Sequence, residues 1–291
     1  MFRKFILNHE RGFQRFFEIL PGVFSWNMIL FPYWGIFVIP VAVAYFILGY
    51  NIYWFYQSLQ IAISGLVSHF RMQASMHNDW MADLNKLKSK KWKKVKHVVI
   101  IVNYKEPLHI LERGLDALAA QTLPREQLHV VMAMEKREPE NDRKEKEKAL
   151  RKKYGKELPN LYFSVHELTS DEIVGKSSNE KFAAIWFKKH EIDAKGKNID
   201  EYVVTSCDAD HVYHPKHFAA LTYNFATSEE PHLRFWQGAL LYYNNIWRVP
   251  FFVRVPNTMG SIWNLSQLPR RDRLINVANY SLSFKLLHRV G

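Results

Sequence analysis

From Ile19 to Phe70 the chain carries no Asp, Glu, Lys or Arg. Fifty-two residues without a formal charge, rich in Phe, Tyr, Trp and Ile, are more than the core of one small domain uses and about twice what a bilayer-spanning helix needs. The most apolar part, Trp34 to Tyr50, is bounded by Tyr33, Tyr53 and Trp54 in the manner of an interfacial aromatic belt. Tyr53 to Phe70 holds Gln57, Gln60 and Ser64, so it fits either a second span or a helix lying in the interface. The sequence therefore predicts a membrane anchor over 1–75, one transmembrane helix or a helical hairpin. Ala42-Val43-Ala44 imitates a signal-cleavage site, but the apolar run continues about as long again beyond it.

Basic residues flank the run on both sides: Arg3, Lys4, Arg11 and Arg15 before it, then Arg71 and seven lysines from Lys86 to Lys96. Positive charge marks the cytoplasmic side, so the pattern predicts a multi-pass integral membrane protein with the domain beyond residue 95 in the cytoplasm and 76–95 as a basic juxtamembrane linker. The formal net charge of +12 is thereby directed at anionic membrane lipids. No RNA-binding aromatic motif or metal-finger spacing accompanies it, so no nucleic acid partner is expected. The single Cys207 excludes an internal disulfide.

Beyond Lys96 the pattern alternates strands and helices. His97 to Val102, Leu128 to Met134, Leu161 to Val165 and Tyr202 to Thr205 read as buried strands, and Leu233 to Tyr242 as a further one. Helices are predicted over Leu108 to Ala120, Pro139 to Tyr154, Glu180 to His190 and from Pro215 to about Ala226. This order predicts an α/β fold with a mostly parallel sheet. Ligands of such sheets sit at the carboxyl ends of the strands. Glu106 follows the first strand and Glu135 the second; Lys176 lies in a predicted loop after the third; Asp208 and Asp210 follow the fourth. Together they make a rim with paired acids for a divalent cation and a lysine for phosphate. His211, His214 and His217 recur every third residue, but they are expected to face solvent near a helix start.

The strand ending in Asn103-Tyr104-Lys105-Glu106-Pro107, the Gly175-Lys176 to Asn179 segment, the Asp208-Ala209-Asp210 triplet and Gln237-Gly238 together resemble the family 2 glycosyltransferases of the GT-A fold. The membrane-anchored branch related to cellulose and hyaluronan synthases is the nearest likeness. The resemblance covers 96–291 and implies a metal-assisted, inverting transfer of a hexosyl or N-acetylhexosaminyl group. The donor would be a nucleoside-diphosphate sugar and the acceptor a saccharide or a lipid-linked molecule. It implies that Glu106 contacts base or ribose, that Glu135 stands where the family reads the base, that Lys176 lies near the diphosphate, that Asp208 faces the nucleotide sugar and that Asp210 holds Mg2+ or Mn2+. The family's acceptor-activating acid falls downstream of Gly291, so the domain reads as incomplete at its carboxyl end. An inactive nucleotide-sugar-binding scaffold is the alternative that follows. A phosphatase of the haloacid dehalogenase type shares the strand-Asp-x-Asp pattern, but it carries that motif on its first strand.

Overall fold

The structure is a computed structural model that describes residues 9–270 and 279–290; Arg3, Lys4 and Gly291 lie outside the described residues. The chain divides into two compact units, 1–62 and 63–291.

The first unit holds helix α1 (Glu10–Val38) and most of helix α2 (Pro40–His77). Pro40 ends the first helix and opens the second: it lacks an N–H for the α1 ladder, and its fixed φ suits a first helical position. Ile39 between them leaves helical geometry at φ −140° and ψ 64°. At this corner the helices pack closely. Gly35 is buried, and a Cβ placed on it would lie 2.9 Å from both Phe31 and Val43 side chains. Phe31 and Phe46 meet edge to face at 5.2 Å.

The corner corrects the expected membrane span. Among the described residues no helix is long and apolar enough to cross a membrane. The most apolar stretch, Trp34 to Tyr50, is cut at Ile39 and shared between two helix ends. Each half is then diluted by polar neighbours in its own helix, such as Asn27 in α1 and Asn51 and Gln57 in α2. The apolar side chains are nevertheless exposed, Tyr33 at 73% and Phe37 at 87% among them.

The second unit is a six-stranded mixed sheet flanked by helices. The strands are β1 (Lys96–Asn103), β2 (Leu128–Glu135), β3 (Leu161–His166), β4 (Tyr202–Asp208), β5 (Phe235–Gln237) and β6 (Tyr280–Ser283). Their order is β3-β2-β1-β4-β6-β5. The first four pair in parallel, while β6 runs antiparallel to both β4 and β5. The expected mostly parallel α/β sheet is thus present.

Period-two alternation explains how one continuous apolar run serves two faces. Val99 and Ile101 of β1 join one core with helices α3 (Trp80–Lys86), α4 (Leu108–Ala119), α5 (Glu140–Tyr154) and α7 (His217–Thr227). Val98 and Ile100 join the other with α6 (Lys176–Phe187) and α9 (Phe284–Val290). Helix α8 (Phe251–Gln267) follows an irregular stretch after β5.

Two elements differ from expectation. β5 spans three residues and not the ten from Leu233 to Tyr242, because its pairing partner β6 is itself only four residues long. Helix α6 begins at Lys176 and hands over at Lys188 to a π turn (Lys188–Asp193), whereas the sequence predicts a loop through Asn179. Asn179 is fully buried and donates to the Ala133 carbonyl at 2.8 Å, which fastens this first helical turn to β2.

Candidate functional site

The four parallel strands end on one edge, and four of the five singled-out residues lie on that edge directly. Asp208 is the last residue of β4 and stands opposite Val102 in the register. Glu135 is the last residue of β2. Glu106 follows β1 by three residues, with its backbone N–H donating to Asn103 Oδ1 at 3.2 Å. Asp210 is two residues beyond β4 and exposed. Lys176 arrives from the first turn of α6, where Gly175 supplies the N-cap without a side-chain hydrogen bond.

The structure brings Lys176 and Asp208 together. Lys176 Nζ donates to Asp208 Oδ1 at 2.6 Å, and Glu180, one helical turn on, lies 3.6 Å away. Burial works to lower the Lys176 pKa, but the hydrogen bond to Asp208 and the charges of Glu180 and Asp208 outweigh it and raise the value. Glu180 also accepts from Ser206 of β4. Its own pKa is raised, with burial as the largest cause, against the opposing bonds from Ser206 and Lys176. The pair is half-open, Lys176 and Asp208 side chains keeping 35% and 38% exposure, so a ligand can reach it.

Glu135 is built differently. It is 5% exposed and ion-paired with Arg137, whose guanidinium lies over the Tyr104 ring at 4.5 Å. The cation, not the acid, is therefore what β2 presents to the rim. Glu138, also buried, accepts from Asn103 at 3.3 Å and pairs with Lys146, tying the β1 and β2 ends together.

Several members of the rim escaped the sequence. Asn279 accepts the Asp208 N–H at 2.9 Å from a left-handed backbone (φ 72°), a conformation that Asn tolerates. Asn244 donates to the Asp210 carbonyl at 2.7 Å and is itself held by Arg113. Both come from segments remote in sequence, and no local spacing announces them. Glu180 was findable: it stands at i+4 from Lys176, a pairing distance once helix α6 starts at Lys176. Lys105 also adopts φ 60°, a strained backbone at the first strand's end. Helix α4 approaches the triplet closely through Gly114, where a Cβ would sit 3.4 Å from the His211 carbonyl and 3.5 Å from that of Ala209.

The histidines after the triplet also differ from expectation. His214 is exposed, but His211 and His217 pack on either side of Tyr213, at 4.4 Å and 4.7 Å between rings. Burial lowers both pKa values, that of His217 to about 3. Cys207 is buried and its thiol is pushed up to about 12 by that burial, which leaves it unreactive.

Among the described residues no group of three or more His, Cys, Asp or Glu is arranged to hold a metal ion. The donor set at the triplet is two carboxylates: that of Asp208 is engaged by Lys176, and that of Asp210 has no hydrogen bond or ion pair among the described residues. Such hard oxygen donors fit an ion of the Mg2+ or Mn2+ type, which takes one or two carboxylates and completes its shell with phosphate oxygens and water.

No family model matches the sequence, and no curated protein matches it. Among solved structures the chain is similar to the mannosyltransferase PcManGT from Pyrobaculum calidifontis in complex with GDP-Man and Mn2+, at 16% identity and a TM-score of 0.43. The match covers 79% of this chain and 55% of that one, so the chain spans about half the length of the protein it resembles.

Proposed function

We propose that this chain is a glycosyltransferase of the GT-A type, and of family 2, that binds a nucleoside-diphosphate sugar at the carboxyl edge of its sheet. One observation carries the reading: the half-open Lys176–Asp208 pair beside the exposed Asp210 carboxylate. The amino end of helix α6 adds unpaired backbone N–H groups and a positive dipole end beside the same lysine, which suits a diphosphate. In this reading Lys176 turns from Asp208 to phosphate, Asp208 is freed to face the donor sugar, and Glu106 meets ribose or base. Asp210, with Asp208, would hold Mg2+ or Mn2+, which supplies Lewis-acid neutralisation of the departing diphosphate when bound. The transferred group is a hexosyl or N-acetylhexosaminyl unit. The acceptor is a saccharide or a lipid-linked molecule, and a single displacement inverts the anomeric carbon.

Calorimetry with UDP, GDP and their hexose conjugates, in Mn2+ and again in EDTA, tests this reading. At least one nucleoside diphosphate should bind, and about tenfold or more tightly with the ion. Absence of binding by the whole panel would refute the assignment. Position of the triplet favours this over the phosphatase alternative, since Asp208 ends the fourth strand of the chain and not the first.

The same proposal places the first unit against lipid on the cytoplasmic face, with 1–75 as the lipid-associating segment, 76–95 as the basic linker and 96–291 as the transferase domain. Support comes from the exposed aromatic and aliphatic side chains of α1 and α2 and the run of lysines from Lys86 to Lys96. Co-sedimentation should be stronger with vesicles containing phosphatidylserine than with neutral ones, and equal recovery with both would remove the electrostatic part.

A further inference from the structure

A cavity of about 580 Å³ opens beside the triplet, between the last turns of α2, helix α7 and the segment that follows β5. Its volume lies within the range of small-molecule sites. It shares walls with the proposed donor site: His211, Asn244 and Asn279 line it, and two of these hold the backbone of Asp208 and Asp210. Anything bound there lies next to a sugar held at the triplet.

The walls carry two kinds of chemistry. Trp80 and Trp236 supply aromatic surface, while Ser68, Ser75, Asn224 and Gln237 are interleaved with them. Among the described residues three lining side chains have buried polar atoms without a hydrogen-bond partner, Tyr213 Oη, His217 Nε2 and Gln237 Oε1. Gln237 spends its amide N–H on the Gly238 carbonyl at 3.2 Å, so its oxygen remains an acceptor for a ligand. Gly238 in turn allows this arrangement, because a Cβ there would stand 3.3 Å from His217 Cε1. Buried polar atoms left unpaired cost free energy, and a hydroxyl-bearing ligand would satisfy them where a hydrocarbon chain would leave them dry.

We infer that this cavity is the acceptor site and that it takes one or two pyranose rings, with ring faces against the tryptophans and hydroxyls bonded to Gln237 and His217. The inference rests on the glycosyltransferase reading for its role, but the cavity's carbohydrate binding can be tested without it. Saturation-transfer NMR on the full chain should be run with methyl glycosides and disaccharides of glucose, mannose and N-acetylglucosamine. At least one should bind, and Gln237→Ala should weaken it about fivefold, the size of one neutral hydrogen bond. His217→Phe should do the same. Neither change should alter affinity for a nucleoside diphosphate with Mn2+, and a magnetisation-transfer contact between the two bound ligands should be seen. Because His217→Phe can unfold the chain, Gln237→Ala carries the decision. Binding unaffected by Gln237→Ala would overturn the site, and binding of polyprenyl phosphate in place of every saccharide would overturn the ligand class. Saccharide binding without nucleotide binding would sustain the cavity and refute the donor reading, whereas failure of both ligands would refute both.

Discussion

The two ends of the parallel sheet handle polar groups in opposite ways. At the amino end His97 and His129 begin β1 and β2 inside the protein, at 0% and 2% exposure. His97 Nε2 lies 2.7 Å from the Thr222 hydroxyl, which itself donates to the Phe218 carbonyl. The Thr222 oxygen must then accept from His97. His129 stacks on Tyr162, whose hydroxyl donates to Glu191 at 3.1 Å, and Glu191 is in turn claimed by Lys195 and Lys197. At the carboxyl end Glu135 and Glu138 are buried and paired, but the Lys176–Asp208 pair is half-open and Asp210 is exposed. The contrast teaches where the fold keeps its freedom: one edge is buried, with His97 Nδ1 and His129 Nε2 left without a partner among the described residues, and the other holds charges that a ligand can still recruit.

The largest expected effect breaks the buried edge. Burial lowers both His97 and His129 to a pKa of about 3, with the Lys96 and Lys197 charges adding to the effect at His129. Folded-state values below the unfolded 6.5 mean that the stabilisation is complete above pH 6.5 and is lost as pH falls from there toward 3. Each of these imidazoles should cost about 1.4 kcal/mol per pH unit in that window. Urea unfolding at pH 7, 6 and 5 measures it. Because His217 is held at about 3 as well, His129→Phe should flatten the slope by no more than about a third, and an unchanged slope would mean that the histidine is protonated in the fold.

Next in size is Asp210→Ala at the open edge. It removes an unpaired, exposed carboxylate, so stability should stay within about 0.5 kcal/mol. Mn2+-dependent affinity for a nucleoside diphosphate should fall by up to about 10², down to the value in EDTA. Retained metal dependence in calorimetry would move the ion away from the triplet. Lys176→Ala comes third, with about a tenfold loss for the diphosphate and none for the nucleoside, because an ammonium contributes charge to phosphate and nothing to a base. Equal losses for both ligands would take Lys176 out of the phosphate role.

How much of this was legible in sequence follows from the same contrast. The continuous apolar run of β1 and the β-forming runs of β2, β3 and β4 announced a mostly parallel sheet, and the acids after the first, second and fourth marked its carboxyl edge. What stayed hidden depends on long-range pairing. β6 is four residues alternating Ser with Tyr and Leu, too short and too polar for a pattern, and only its insertion between β4 and β5 makes it a strand. Asn279 and Asn244 reach the triplet across the fold, so no spacing reports them. The charge-free run was read as a span because its composition is continuous, whereas Pro40 divides it into two helix ends.

The smallest effect separates two glutamates that look alike in sequence. Each closely follows or ends a parallel strand, and the resemblance assigns both to the nucleotide. Glu106 is half-buried with no side-chain partner among the described residues, whereas Glu135 is buried and ion-paired with Arg137. Both Arg137 contacts fall on Oε2 of Glu135, so the expected part of this acid is chiefly to hold Arg137 over Tyr104. Glu106→Gln should weaken nucleoside binding about fivefold through the loss of one charge-assisted hydrogen bond. Glu135→Gln keeps an acceptor for Arg137 and should change it by less than about threefold, while lowering stability by about 1–3 kcal/mol through a weakened buried pair. Measuring nucleoside affinity and urea midpoint on both variants resolves the roles. If Glu135→Gln costs binding and spares stability, then Arg137 must swing away when nucleotide enters, and the β2 end belongs to the open edge after all.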